Sequence, residues 1–262
     1  MDIQLLSYDK KNEKASFIIS KTTAAYMNAL RRYCTERVPT LAIEDVEFRE
    51  NSSVLYDEII AHRLGLIPLT TDLKSYTLQS QCKCKGEGCA RCTVKMKLAA
   101  TGPSPVYASE IKTKDSAVKP VFGKIPIVKL LKGQDVALEA TAIMGIGKDH
   151  AKWSPCLAFY RHKATLEIGN IDQPEKLIES LPPGLFEVKN KKLIVDEDRF
   201  LQTNAADLCQ DIHPHIKVKE SENEFVFTIE SWGQLAVPEI LSKALEVLQE
   251  DLSEFDAKLK AI

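Results

Sequence analysis

Residues 22–70 read TTAAYMNALRRYCTERVPTLAIEDVEFRENSSVLYDEIIAHRLGLIPLT. The periodicities in this stretch decide the rest. Ala24, Met27, Leu30, Cys34 and Val38 recur at steps of three and four, which places one apolar stripe on a helix. Ser20, Thr22 or Thr23 supplies the N-cap, and Pro39 stops the helix. Arg31 and Arg32 stand side by side in its middle. Leu41 and Ile43, then Val46 and Phe48, are spaced by two, so a strand follows. A second helix is predicted over Val54 to Leu64. Gly65 stands at its C′ position in the left-handed conformation, with Leu66 making the capping contact.

Outward from this stretch, both ends carry regular patterns. Ile3–Tyr8 and Lys14–Ile19 alternate like strands around the polar turn Asp9-Lys10-Lys11-Asn12, which predicts a hairpin. Phe225, Phe227 and Ile229 alternate with polar or smaller residues, and Pro238 then opens a helix. In that helix Leu241, Leu245, Leu248, Leu252, Phe255 and Leu259 are spaced 4, 3, 4, 3, 4. Such a seam is either intramolecular core or a partner surface. Its strict heptad spacing favours packing against a helix of another subunit.

The middle of the chain is different. Short strands are predicted at Val94–Leu98, Val121–Val128, Val136–Ile143, Leu157–Tyr160 and Ala164–Ile168, punctuated by Pro and Gly. A further small module follows, with a helix at Pro174–Ser180 and a strand pair around Lys189–Lys192. The expected organisation is α+β. One discontinuous domain is built from both ends, 1–48 and 219–262. It is interrupted by a mostly-β insert at 49–170 and a small module at 171–218.

The totals restrict the function. The 262 residues suit about two domains. Basic and acidic residues balance, 35 against 37. Direct DNA contact is therefore not expected, since nucleic-acid affinity rests on phosphate neutralisation. No apolar run approaches the roughly 20 residues of a membrane span, and MDIQLLSYDKK lacks the layout of a signal peptide. Seven cysteines, an odd number with four of them clustered, favour metal over disulfides and a cytoplasmic location.

That cluster is Cys82-Lys-Cys84-Lys-Gly-Glu-Gly-Cys89-Ala-Arg-Cys92. Four thiolates in so short a loop suit a closed tetrahedral zinc site, or an iron–sulfur cluster, which also takes four cysteines. Gly86 and Gly88 let the loop fold back. Lys83, Lys85 and Arg91 offset the charge of a four-thiolate centre. His150, in GKDHAKW, has no serine, cysteine or carboxylate placed beside it by motif, and reads as structural. Gly145-Ile-Gly147-Lys148 misses the P-loop and dinucleotide patterns. No catalytic residue is expected on this chain.

NALRR followed by VPTLAIEDVEFRENSSVLYDEIIAHRLGLIPL resembles the archaeal and eukaryotic counterparts of the bacterial RNA polymerase α subunit, most nearly the archaeal D-type subunit. GIGKDHAKWSPC at 145–156 and FTIESWGQLAVPEILSKALEVL at 227–248 carry the same resemblance. It implies a non-catalytic assembly subunit of DNA-directed RNA polymerase, a nucleotidyltransferase. The subunit pairs with a small L-type subunit to form a platform for the two large catalytic subunits, beside other small polymerase subunits.

The resemblance also implies that the two chain ends form the dimerisation domain, with Met27, Leu30, Cys34, Leu241, Leu245, Leu248 and Leu252 at the dimer interface. Arg31, Arg32, Glu58, His62 and Arg63 are implied as large-subunit contacts. It favours one structural zinc on Cys82, Cys84, Cys89 and Cys92, since some relatives carry a zinc loop here. It makes the 171–218 module ferredoxin-like, and some relatives hold an iron–sulfur cluster there.

The ferredoxin pattern is C-x2-C-x2-C-x3-C-P. Counted back from Pro214, its ligand positions fall on Thr203, Ala206, Cys209 and His213. Only Cys209 is a thiol, so no iron–sulfur cluster is expected. The rival reading is an iron–sulfur redox or sensor protein.

Overall fold

The structure, a computed structural model, describes residues 1–171, 177–178, 183–189, 192–203, 205–209 and 213–261. Twelve strands and five helices are described: β1 Asp2–Asp9, β2 Lys14–Ser20, α1 Ala24–Arg32, β3 Pro39–Asn51, α2 Asp57–Gly65, β4 Thr93–Thr101, β5 Ser104–Tyr107, β6 Lys112–Thr113, β7 Pro126–Leu130, β8 Asp135–Ile146, β9 Cys156–Ile168, β10 Phe186–Lys189, β11 Lys192–Val195, α3 Glu197–Gln202, α4 Ala205–Cys209, β12 Ile216–Ser231 and α5 Val237–Lys260. The fold is α+β. It divides into two compact units, residues 1–31 with 158–230 and residues 32–157 with 231–262.

In the first unit a four-stranded sheet runs β1-β2-β12-β9. The predicted β1–β2 hairpin forms, with Ile3 opposite Ile19 and Leu5 opposite Phe17. Strand β12 lies antiparallel to β2, setting Phe225 opposite Ile19 and Phe227 opposite Phe17. Period-two alternation sends Phe225 and Phe227 to one face, where both are fully buried. Ile18 and Val226 point to the other face, into a second core with Leu185, Phe186, Phe200 and Cys209. Ser16 and Thr228 share a buried hydrogen bond of 3.1 Å across the strands.

In the second unit the sheet runs β3-β8-β4-β6, and β5 pairs with β7. Leu41, Ile43, Met96, Leu98 and Leu138 form its core, with Ile60 and Leu64 of α2. These spacings alternate on the strands and step by four on the helix, as each element demands.

Several sequence expectations are corrected here. Strand β3 runs across the expected boundary at 48/49 and β12 across that at 218/219. β3 pairs along its length with β8 of the expected insert, and β9 joins the terminal sheet. The two strands expected at Leu157–Tyr160 and Ala164–Ile168 are one. Their polar middle is satisfied laterally: His162 Nδ1 bonds the Ser221 carbonyl at 2.7 Å, Lys163 bonds Glu224 at 3.3 Å, and Arg161 donates to the Leu201 carbonyl. The strand expected at Val121–Val128 begins only at Pro126. Before that, Val121 N–H donates to the Pro68 carbonyl and Ile125 N–H to that of Phe122.

Helix α2 starts at Asp57 rather than Val54. Gly65 is its last residue and does not take the left-handed conformation, and Leu66 is exposed. The helix expected at Pro174–Ser180 lies outside the described residues except for Leu177 and Ile178. The strand pair near Lys189–Lys192 is β10–β11, with Lys189 opposite Lys192.

The first helix also ends differently. After Arg32 it widens into a π-helical turn, Tyr33–Arg37, before Pro39 opens β3. Segment 145–156 closes on that turn. A Cβ on Gly147 would lie 2.1 Å from the Thr35 carbonyl oxygen, so no side chain fits there. Lys148 N–H donates to the Glu36 carbonyl at 3.0 Å. Gly145 lies beneath the Trp153 ring, where a Cβ would stand 2.3 Å from Cδ2. Gly145→Ala is therefore an overpacking change of about 1–3 kcal/mol. It is expected to lower Tm by roughly 2–10 °C, read by thermal melting of the purified chain. An unchanged melt would contradict this packing.

Candidate functional site: a four-cysteine centre and two partner faces

The loop from Cys82 to Cys92 lies between a short 3-10 turn, Gln79–Gln81, and strand β4. Its backbone is turned back on itself. Lys85 N–H donates to the Cys82 carbonyl at 3.0 Å, Glu87 N–H to that of Cys84 at 3.2 Å, and Cys92 N–H to that of Cys89 at 2.9 Å. Gly86 and Gly88 both take positive φ, 91° and 87°, which glycine adopts at no steric cost. The four sulfurs converge as a result. Cys82 Sγ lies 3.5 Å from Cys89 Sγ, Cys84 Sγ 3.5 Å from Cys92 Sγ, and Cys92 Sγ 3.9 Å from Cys89 Sγ. All lie within 4.8 Å of one another.

A tetrahedron with metal–sulfur bonds of about 2.3 Å has edges of about 3.8 Å. The donor set and its spacing therefore fit a four-thiolate metal ion such as zinc. Among the described residues this is the one group of three or more such ligands. Lys83, Lys85 and Arg91 are exposed around it, as a charge-offsetting role requires.

The thiols differ in acidity. Cys84 is drawn down to about 6, chiefly by its hydrogen bond with Cys82, with help from Cys92 and the N–H groups of Gly86 and Gly88. Burial pushes Cys92 up to about 12, and Cys34 likewise. Burial also raises Cys156 and Cys209.

The positions expected to be remnants of an iron–sulfur site are not a ligand set. Cys209 is fully buried among Ile18, Phe186 and Phe200. Ala206 packs against the same core. The Thr203 hydroxyl donates to the Arg199 carbonyl at 2.8 Å, and the His213 ring lies 5.5 Å from that of His215. His150 Nδ1 accepts from Lys152 N–H at 3.0 Å and caps a short helical turn, which is a structural role.

Helix α5 presents two faces. Val237, Ile240 and Ala244 are buried within the chain. On the same side Asp251 accepts from Tyr33 at 2.8 Å and from Arg37 at 2.7 Å. The heptad seam runs along the edge of that buried face and on past it toward the C-terminus, with the polar side at Ser242, Glu246 and Ser253 opposite. Leu241 and Leu248 are half-buried, while Leu245 is 45% exposed, Leu252 59%, Phe255 61% and Leu259 53%. Every residue from Leu252 to Lys260 is exposed. A surface helix does not keep so regular an apolar stripe in water without a use.

The other residues expected at that interface behave differently. Met27, Leu30 and Cys34 are buried inside this chain. Their stripe is internal core, so the accessible part of the expected interface is the α5 seam.

Around α2 the expected contact residues Glu58, His62 and Arg63 are exposed, with Arg63 donating to the Pro126 carbonyl at 2.6 Å. Val54, Tyr56, Ile59 and Leu66 are exposed large apolar residues beside them, a signal that polarity patterns alone did not isolate. Arg31 bonds Asn28 at 2.9 Å, and Arg32 pairs with Glu36 at 3.0 Å.

Residues 45–155 match the family described as RNA polymerase Rpb3/RpoA insert domain. Over whole chains, this sequence is similar to DNA-directed RNA polymerase subunit Rpo3 of Methanosarcina mazei, 38% identical over 99% of this chain and 98% of that one. It is similar to subunit Rpo3 of Pyrococcus furiosus, 35% identical over 100% and 98%, and to that of Archaeoglobus fulgidus, 33% identical over 100% and 98%.

Proposed function

Because the chain belongs to the family of DNA-directed RNA polymerase subunits named Rpo3, we propose that it is the assembly platform of an archaeal multisubunit RNA polymerase, of the D type. It pairs with a small L-type subunit and carries the two large subunits, contributing no catalytic residue to nucleotidyl transfer. The observation that carries this reading is the unpartnered heptad seam of α5. Leu245, Leu252, Phe255 and Leu259 face water on a helix whose adjoining face, Val237, Ile240 and Ala244, is already packed. An apolar helix face of this kind is stabilised only by another helix laid along it.

The large-subunit contact falls on α2 and its flanks, where Glu58, His62 and Arg63 stand among exposed apolar residues. Arg31 and Arg32 extend the list of candidate contacts from α1. The four-cysteine loop holds one zinc ion as a structural staple for a segment too polar to fold alone. Bound zinc would supply no chemistry beyond cross-linking Cys82, Cys84, Cys89 and Cys92. No helix among the described residues is long and apolar enough to cross a membrane, in keeping with a transcription complex in the cytoplasm.

The test is affinity purification of the tagged chain from its native cell, with mass spectrometry of what accompanies it. A small α-like partner and two large polymerase subunits in near-stoichiometric amount are expected. A chain recovered alone would refute the assembly reading.

A further inference from the structure

Helix α5 is anchored along its first half and uncovered along its second. Val237, Ile240 and Ala244 are buried, at steps of three and four. Seven residues after Ala244 the helix returns to the same side, and the residue there is Asp251 rather than an apolar one. Past it every residue from Leu252 to Lys260 is exposed. The Ser253 hydroxyl, Lys258 and Lys260 bond back within the helix, to the Gln249 carbonyl, Glu254 and Asp256.

Asp251 meets the π-helical turn. Its Oδ2 accepts from the Tyr33 hydroxyl at 2.8 Å. Arg37 Nη2 donates to both carboxylate oxygens, 2.8 Å from Oδ1 and 2.7 Å from Oδ2. A turn closed by i→i+5 bonds is wider than an α-turn, and here it brings Arg37 over the Tyr33 ring, 6.0 Å from its centroid. The turn is also a fixed base. The Cys34 carbonyl accepts from the Cys156 thiol at 3.6 Å, and the Glu36 carbonyl from Lys148 N–H at 3.0 Å. The Thr35 carbonyl lies against Gly147 with no room for a Cβ. An exposed ion pair would hold little. In this one a phenol and a guanidinium converge on a single carboxylate, with the Arg37 and Asp251 side chains only 32% and 34% exposed, and hydrogen bonds to ionised groups are the stronger kind.

We propose that Asp251, held by Tyr33 and Arg37, is a positioning residue for subunit pairing. It fixes the direction of the uncovered half of α5 and so presents Leu252, Phe255 and Leu259 to the partner helix. The proposal rests on the assembly reading and adds a determinant that lies outside the apolar seam. Residues 252–260 run about 14 Å past Asp251 at 1.5 Å per residue, so a tilt of about 10° moves the end by about 2 Å. Helices pack with their axes about 8–10 Å apart and their ridges in register, and a shift of that size takes the seam out of register.

The test uses the full chain and the small α-like subunit that accompanies it in cells. Asp251→Ala and Arg37→Ala are each expected to weaken pairing by about three- to tenfold in a titration. The double variant should lose no more than either, because the two residues act as a unit. Asp251→Glu keeps the carboxylate and should recover most of the affinity. Glu250→Ala, at an exposed neighbouring carboxylate, should cost nothing. Hydrogen exchange of the unpaired chain reads the cause. Amides of residues 252–260 should exchange several-fold faster in Asp251→Ala, while those of β3 and β8 keep the parental rate. Unchanged exchange at 252–260, unchanged pairing in Asp251→Ala, or losses in the single variants that add in full would overturn the proposal and leave the platform reading standing. A parent chain that pairs with no small subunit would overturn both.

Discussion

Leu252→Asp is expected to leave the chain folded and to abolish its pairing with the small subunit. Leu252 is 59% exposed and stands in a stretch of α5 where every residue faces water. An aspartate there costs the isolated chain little. In the proposed pair the same position lies in the helix–helix seam. A carboxylate buried there without a partner costs several kcal/mol. Even about 3 kcal/mol weakens association by about 100-fold.

Co-expression followed by size-exclusion chromatography reads the outcome, with Ser253→Asp on the exposed polar face as control. The control should pair normally, and both variants should melt like the parent chain. Leu248→Asp should also fail to pair, but Leu248 is half-buried in this chain, so its folding is tested less cleanly. A Leu252→Asp chain that co-purifies at parental yield would remove the seam from the interface.

Cys89→Ser is expected to release the metal ion and loosen one loop while sparing the fold. Serine keeps the size and backbone of the residue, whose carbonyl accepts from the N–H groups of Cys92 and Thr93. Only the fourth thiolate is lost. Structural zinc sites bind with apparent free energies of about 10–16 kcal/mol near neutral pH, and a missing ligand removes a large share of that.

Elemental analysis should fall from one metal ion per chain to a small residue of it. Trypsin should then cut at Lys83, Lys85 or Arg91, exposed residues that the intact centre holds in turns. The sheet of β3, β8, β4 and β6 should persist, because its core of Leu41, Met96, Leu98 and Leu138 draws nothing from the cysteines. Undiminished metal would show that the ligands are misassigned.

What was legible in the sequence followed the range over which each signal acts. The stripe from Ala24 to Leu30, the α5 heptads and the β1–β2 hairpin are local periodicities, and each forms the element it predicts. The cysteine centre was equally legible, because four ligands and two glycines within eleven residues leave the loop few alternatives. Two other features were not legible, for physical reasons. Arg161-His162-Lys163 read as a break between strands because their partners, Leu201, Ser221 and Glu224, are remote in sequence. The alternation of β3 does not reveal its partner, because its pairing with β8 depends on residues nearly a hundred positions away. Whether a stripe is core or interface was also undecided locally. Met27 and Leu252 stand in equally regular patterns, yet one is sealed inside the chain and the other faces water.

The order of strands in the terminal sheet carries a consequence for how the protein is made. Ile19 waits for Phe225, and Ser16 for Thr228, across more than two hundred intervening residues. The sheet of β3, β8, β4 and β6 has all its strands once residue 146 has emerged from the ribosome. The β1–β2 hairpin, made before that sheet, must stay unsealed until β12 has been made after it. A two-stranded hairpin is marginal in water by itself, and closing so long a loop comes late and slowly. Until then the nascent chain leaves the β2 backbone edge unpaired and Ile18 and Ile19 uncovered on its two faces. A chain ended before residue 216 would lack β12 and is expected to leave β2 without its second neighbour.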